Sequence, residues 1–450
     1  MRAVHAKDAL TPRGWAGDVR LVLADGTIGA VEIGVPPQPD DERCGALVPG
    51  MPNVHSHAFQ RGMAGLAETR GPASDNFWTW REAMYRFALA MTPDDVEAVA
   101  AMLYVEMIEA GFTRVGEFHY LHHDRDGRPY SAIGEMASRI AAAASQSGVR
   151  LTLLPCFYAH STFGGAPPRS EQRRFICDLD QFARILDEAR RAASALAGST
   201  IGLAPHSLRA VAPEELSALL AMAGEAPIHI HAAEQTKEVD DCVAWCGARP
   251  IEHLLKIAPV DRRWCLIHAT HMTKIETVRL AASGAVAGLC PVTEANLGDG
   301  TFNAPVFRTQ GGQFGIGSDS NVLIGVADEL RQLEYAQRLA HCERNVMGDA
   351  RMSTGRALFE AALNGGGAAL GAPARLESGA PADFVSLKTD HPITQHLKPD
   401  GVLDAWIFVE RNLVDGVWIA GEKLVENGRH KRREAIEKRF RGAVQSLRAA

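Results

Sequence analysis

Between residues 48 and 377 the chain repeats one pattern, a short apolar run followed or preceded by a stretch with helical spacing. The runs are VPGMPNVHSH, TRVGEFHY, VRLTLLPCFY, TIGLAPHS, PIHIHAAE, WCLIHATH, AVAGLCPVT and QFGIGSDSN. Plausible helices include TPDDVEAVAAMLYVEMIEAG before the second run and APEELSALLAMAGE after the fourth. Strands buried on both faces read as continuous apolar runs, and parallel neighbours need a crossover, usually a helix. Eight strand-helix units in succession predict the α/β class and, within it, a (β/α)8 TIM barrel over 48–377. A doubly wound open sheet would read similarly, but no G-x-G-x-x-G fingerprint supports it.

The ends differ. DVRLVLADGTIGAVEIG is strand, Asp-Gly turn, strand, which predicts a hairpin. GAPADFVSLKTDHP and LVDGVWIAGEKLVENGRH repeat that style, so residues 1–47 and 378–430 are expected to form a β-rich accessory domain. At 450 residues the chain is too long for one core of ordinary size, which suits a barrel plus a smaller domain. The tail, GRHKRREAIEKRFRGAVQSLRAA, reads as a solvated amphipathic helix over 431–450, with a membrane or nucleic-acid arm as the weaker alternative. NGGGAALG at 364–371 lacks the lysine and Ser/Thr of a phosphate loop and is expected to be a turn and helix start beneath the barrel.

A formal net charge of −7 argues against a nucleic-acid or anionic-membrane partner. No stretch approaches a transmembrane span, and MRAVHAKDALTPRGW has no apolar signal core. The eight cysteines contain no Cys-x-x-Cys pair and read as reduced thiols of a cytoplasmic protein. Cys242 and Cys246 are helix-spaced neighbours and only a weak zinc candidate.

A barrel places its chemistry at the C-terminal ends of its strands. Five of the eight runs end there in residues that bind metal or move protons: His55 and His57, His206, His231, His268 and Asp319. A lone His-x-His is weak in a chain with 17 histidines, but this joint placement points to a metal centre. His55, His57, His231 and Asp319 form a three-imidazole, one-carboxylate set that suits Zn²⁺, one per chain. His229 shares a face with His231 and is expected one layer deeper. Glu234, three residues beyond His231, is a candidate to take a proton from water and deliver it to a leaving nitrogen, against the plainer reading of a solvated first-turn glutamate. His268 is expected to stabilise the attacking water or the oxyanion rather than to hold a second metal.

Together NVHSH, HAAE, the strand-terminal His268 and GIGSDS resemble the amidohydrolase superfamily, specifically its single-metal deaminase branch. That resemblance spans nearly the whole chain. It implies a (β/α)8 barrel with a small β-sandwich built from both chain ends, hydrolytic deamination and a homodimer. GMPNVHSHAFQRGMAGLAETRG, DNFWTWREAMYRFA, EFHYLHHDRDGRPY and LAPHSLRAV further resemble the N-formimino-L-glutamate deiminase family of histidine degradation. Such enzymes turn a formimino group into a formyl group and release ammonia.

The implied substrate is a small dicarboxylate bearing an amidine. Two carboxylates call for guanidinium forks. Arg81 and Arg209 are the candidates, in loops after the first and fourth strands, although either alone could be a surface arginine. The resemblance adds substrate contacts from Gln60, Tyr120 and His206, while Phe77, Trp78 and Trp80 are expected to pack the loop carrying Arg81. In the expected mechanism, zinc lowers the pKa of its water toward about 7. Glu234 or Asp319 accepts the proton, His268 stabilises the tetrahedral centre, and Glu234 protonates the departing nitrogen. The alternatives are an aminohydrolase of the same superfamily acting on a nucleobase or other N-heterocycle, and a catalytically dead scaffold. Two site arginines disfavour the first, and the intact ligand set disfavours the second. The insertion HSTFGGAPPRSEQRRF reads equally as a lid or a passive loop.

Overall fold

The computed structural model describes residues 2–70 and 75–449. Eight parallel strands close on themselves: β1 (Met51–Ser56), β2 (Phe112–His119), β3 (Arg150–Phe157), β4 (in two short pieces, Thr200–Ile201 and Ala204–Pro205), β5 (Ile228–Ala232), β6 (Trp264–His268), β7 (Val286–Leu289) and β8 (Gln313–Ile316). β8 pairs with β1 through Ile316 and Asn53, and β4 meets β5 through the bridges Leu203–Ile228 and Ser207–His231. Every residue of β1, β2, β3, β5, β6 and β7 is buried, as continuous apolar runs require when helices cover the outside.

Capping chemistry fixes several helix starts. Thr92 and Asp95 form a reciprocal capping box at the helix Pro93–Glu109, with proline at its first turn. Asp178 and Gln181 do the same at Leu179–Ser194.

The terminal segments join in one eight-stranded sheet. Strands Arg2–Thr11, Gly14–Ala24, Thr27–Ile33 and Glu42–Pro49 supply one half, and Phe384–Leu387, Val414–Ile419, Glu422–Glu426 and Arg429–His430 the other. The central pairing is Glu42–Pro49 against Phe384–Leu387, antiparallel, which ties the two ends of the chain together. The hairpin at Asp25-Gly26 has both residues at positive φ, 48° and 77°, as a two-residue turn with the twist of its strands demands. Val4, Val19, Leu21, Leu47, Phe384 and Trp418 form a small separate core on this sheet.

The tail forms the helix Arg433–Ala449, docked by Ile436 and Ala443. Its cations are paired with the helix Pro93–Glu109: Arg433 with Glu109, and Arg439 with Glu97 at 2.9 Å.

The glycine run departs from expectation. It lies inside the helix Thr354–Ala369 rather than at a helix start. The reason is contact: a Cβ at Gly365 would sit 2.0 Å from the carbonyl oxygen of Phe314 in β8, and one at Gly366 3.2 Å from the Pro52 side chain in β1. The glycines let this helix lie flat on the strand backbones. In an exposed helix Gly→Ala gains about 1 kcal/mol; here Gly365→Ala is expected to cost about 1–3 kcal/mol by overpacking, read as a lower thermal midpoint.

Candidate metal centre and active-site cleft

His55 lies on β1 and His57 immediately past its end, on either side of Ser56, so both rings enter the barrel mouth. His231 comes from the end of β5 and Asp319 from the turn after β8. The Nε2 atoms of His55 and His57 lie 3.2 Å apart, and those of His55 and His231 3.1 Å. Asp319 Oδ1 is 3.3 Å from His55 Nε2 and 3.4 Å from His57 Nε2.

Tautomers decide what this cluster is. The Nδ1 atoms of His57 and His231 lie 2.9 Å from the carbonyl oxygens of Phe118 and His206, which accept only from an N–H. The Nε2 lone pairs of these two rings therefore converge, unprotonated, on one point beside a carboxylate. Burial, with neighbouring histidines adding to it for His55 and His231, pushes all three imidazoles below their ordinary pKa. Ligand nitrogens around a tetrahedral zinc sit roughly 3.3 Å apart at bond lengths near 2.0 Å, so the donor set fits a single borderline cation. This is a His/Asp metal-binding site.

The backbone here is under constraint. Ala233, His268, Asp319 and Asn321 all take positive φ, between 42° and 67°, which is costly without glycine. Hydrogen bonds impose it. Asp319 N–H donates to His55 O and His57 N–H to Asp319 O, both at 3.0 Å. The Asn321 amide donates to the carbonyl oxygens of His57 and Asp319 at 3.1 and 2.9 Å. Glu238 accepts the N–H groups of Ala233 and Glu234 at 3.2 and 3.0 Å, fixing the turn that carries Glu234.

A cleft opens above the cage. Gln60, Arg81, Tyr120, His206, Arg209, Glu234 and His268 line it together with His57, His231 and Asp319. His55 lies fully buried beneath, and His229 is deeper still, its Nε2 2.9 Å from Ala369 O. His268 Nε2 is 3.8 Å from Glu234 Oε1 and 3.9 Å from Asp319 Oδ2. Burial alone would depress the His268 imidazole, but Glu234, Glu294 and Asp319 outweigh it and hold it up at about 10. Burial raises the Glu234 carboxyl, against the pull of His268 and Arg209.

Arg209 is 7% exposed, yet its nearest anion is Glu234 at 3.7 Å, and its Nε has no partner. Arg81 Nε is likewise buried and unpartnered. Arg81 stacks over Trp78 at 4.5 Å, with Arg209 5.7 Å from the same ring. Arg81 sits on a helix, Phe77–Ala90, rather than in a loop, and Phe77 and Trp80 line the cleft besides packing around it. Gln60 donates to the Tyr120 hydroxyl at 3.0 Å and leaves its own oxygen unpartnered.

Sequence reasoning missed several residues in or directly behind the cleft. Glu294 accepts from Cys290 N–H at 2.9 Å and lies 3.2 Å from His268 Nδ1. It stands five residues past the end of β7, where no local signal marks it. Tyr158 ends the third run, so the strand-end rule pointed to it. Tyr85 and Phe175 come from the insertions after β1 and β3.

The fold and site define a class, and sequence comparison agrees. A model of the "Amidohydrolase family" matches residues 46–424, and the chain belongs to that family. A second model, "Formimidoylglutamate deiminase HutF, N-terminal domain", matches residues 1–45. Within the family, the chain is 48% identical over 446 residues to a formimidoylglutamate deiminase of Pseudomonas aeruginosa, covering 98% of both, which places it among the formimidoylglutamate deiminases. A 5-methylthioadenosine/S-adenosylhomocysteine deaminase of Natronomonas pharaonis is 28% identical over 86% of this chain and 83% of its own. Among solved structures, an amidohydrolase from Brucella melitensis superposes with a TM-score of 0.97 at 58% identity, covering 99% of this chain and 100% of that one. An adenosine deaminase from Xanthomonas campestris with bound zinc shares the fold, with a TM-score of 0.83 at 21% identity over 100% and 98%.

Because only the folded chain assembles these ligands, loading with Zn²⁺ is expected to raise the thermal midpoint by several degrees. His231→Ala should abolish that rise and lower bound metal, measured by elemental analysis, to below about 0.2 per chain, given that each missing ligand cuts affinity steeply.

Proposed function

We propose that this protein is a zinc-dependent formimidoylglutamate deiminase, hydrolysing N-formimino-L-glutamate to N-formyl-L-glutamate and ammonia in histidine degradation. The observation that carries the reading is a buried cage for one cation opening directly onto two guanidiniums with unpaired N–H groups. A neutral heterocycle would leave those cations uncompensated; a dicarboxylate answers both. The relative from Pseudomonas aeruginosa carries the same activity in its name.

Each residue then has a role. His55, His57, His231 and Asp319 would hold one Zn²⁺, which supplies the Lewis acidity that makes water a nucleophile near neutral pH. Arg81 and Arg209 bind the carboxylates and fix the distance from them to the reacting carbon. Gln60, Tyr120 and His206 line the wall between, where Gln60 Oε1 is an unused acceptor for the amidine N–H. Glu234, between Arg209 and His268, takes the proton of the attacking water and returns it to the departing nitrogen. Asp319 is the second candidate for the first of these transfers. His268, oriented by Glu294, donates to the oxygen of the tetrahedral centre. The C–N bond to the terminal nitrogen then breaks, leaving the formyl group on the glutamate nitrogen.

A cytoplasmic setting is supported by eight cysteines that are all unpaired. Among the described residues no helix is long and apolar enough to cross a membrane. A homodimer is what the resemblance implies, to be read by light scattering.

The test is ammonia release from N-formimino-L-glutamate with N-formyl-L-glutamate followed by NMR. Equimolar products, lost on chelation and restored by zinc, are expected. A folded, zinc-loaded protein that releases no ammonia would sink the substrate and send the search to N-heterocycles. Glu234→Gln is expected to keep its metal while kcat falls by about 10²–10⁴, the usual worth of a positioned acid-base group.

A further inference from the structure

The insertion after β3 places one polar side chain behind the cleft wall, against two tyrosines that line it. Gln172, 1% exposed, donates from Nε2 to the hydroxyls of Tyr158 at 2.7 Å and Tyr85 at 3.3 Å. Its own oxygen accepts the N–H of Arg169 at 2.8 Å, which fixes the amide's orientation. The two phenols come from different elements, Tyr85 from the helix Phe77–Ala90 and Tyr158 from just beyond β3, and both are 4% exposed.

Hydrogen counting gives these groups a direction. An amide nitrogen has two hydrogens, and here both phenol oxygens accept from it. Each phenol retains its own O–H hydrogen. The two hydroxyls are neighbours, so one hydrogen can be spent between them, which leaves at least one for the cleft. On that side stand Arg81 and Arg209, which have no acceptors of their own. The local wall therefore consists of donors, and burial, with Tyr85 adding, keeps the Tyr158 phenol protonated well beyond its ordinary range. A cluster of buried donors whose nearest anion, Glu234, stands 3.7 Å from Arg209 is costly until an oxyanion fills it.

The geometry points to Tyr85 and Tyr158, held by Gln172 as a positioning residue, as neutral donors to one of the two substrate carboxylates, beside the guanidiniums of Arg81 and Arg209 that bind the pair, and so as determinants of specificity for that carboxylate. This deepens the deiminase reading and rests on it for the identity of the substrate. It also gives the β3 insertion a fixed role as a wall of the site.

Tyr158→Phe, Tyr85→Phe and Gln172→Leu, each retaining most of the packing volume, test it. Three substrates are compared: N-formimino-L-glutamate and its analogues lacking either the α-carboxylate or the side-chain carboxylate. Tyr158→Phe is expected to lower kcat/KM for the dicarboxylate about tenfold or more, mainly through KM, as loss of a hydrogen bond to a charged group implies. Gln172→Leu is expected to do the same. On one of the two monocarboxylates the loss should vanish, because the carboxylate being read is gone. Equal losses on all three substrates would mean a merely structural role and overturn the inference, as would no loss at all.

Calorimetric binding of glutarate to the same proteins separates this from the broader reading. If wild type binds glutarate but turns over none of the substrates, the deiminase reading falls, and weaker binding by Tyr158→Phe still upholds the carboxylate site. If wild type neither binds nor turns over, both fall.

Discussion

Three imidazole nitrogens and a carboxylate oxygen within about van der Waals contact of one another cannot all be satisfied by hydrogen bonding among themselves, since His55 Nε2 alone could carry a hydrogen to share. The Nδ1–H groups of His57 and His231 are committed to backbone carbonyls, so their Nε2 atoms face each other as acceptors beside a further acceptor, Asp319. Such a set is repulsive unless a cation lies in the middle. The barrel supplies what makes it tolerable. β1, β5 and β8 sit around one closed sheet whose strand ends converge, and every residue of the cage lies in one of these strands or within three residues of its end. That rigidity explains why the neighbouring backbone can be held in left-handed conformations at Ala233, His268 and Asp319. Each such residue costs of order 1–3 kcal/mol, which only an over-determined surrounding can sustain. The Asn321 side chain, the paired bonds between Asp319 and β1, and the Glu238 carboxylate are that surrounding.

The division between what the sequence discloses and what it hides follows physical range. Strand identity was readable because burial on both faces writes continuous apolar runs, and all eight runs are strands. The ligand pattern was readable because a barrel's strand ends converge on one mouth, so position along a strand stands in for position in space. His55, His57, His231 and Asp319 do meet there. Residues whose place depends on contacts between insertions were not readable. Tyr85 and Gln172 are 87 residues apart and meet only through the packing of two excursions from the barrel. Glu294 is hidden for a related reason, because it reaches back to His268 from inside a short helix. The glycine run was misread because glycine in isolation suggests a turn, whereas here its missing side chain admits a strand backbone.

The chain carries a net charge of −7, yet the far end of its cleft is built from cations and hydrogen-bond donors. Electrostatic steering by the whole molecule would oppose an anionic substrate, so recognition has to be local. Burial makes that possible, because Arg209 and the Tyr158 hydroxyl stand where solvent screening is weak. The same burial sets a limit on promiscuity. A ligand lacking the matching oxygens leaves desolvated guanidiniums unpaired, and that penalty falls on the wrong substrate rather than rewarding the right one. Glu234 stands at the junction, near Arg209 on one side and His268 on the other. On the proposed function, one arginine would thus stand next to both the carboxylate being recognised and the group that moves the proton.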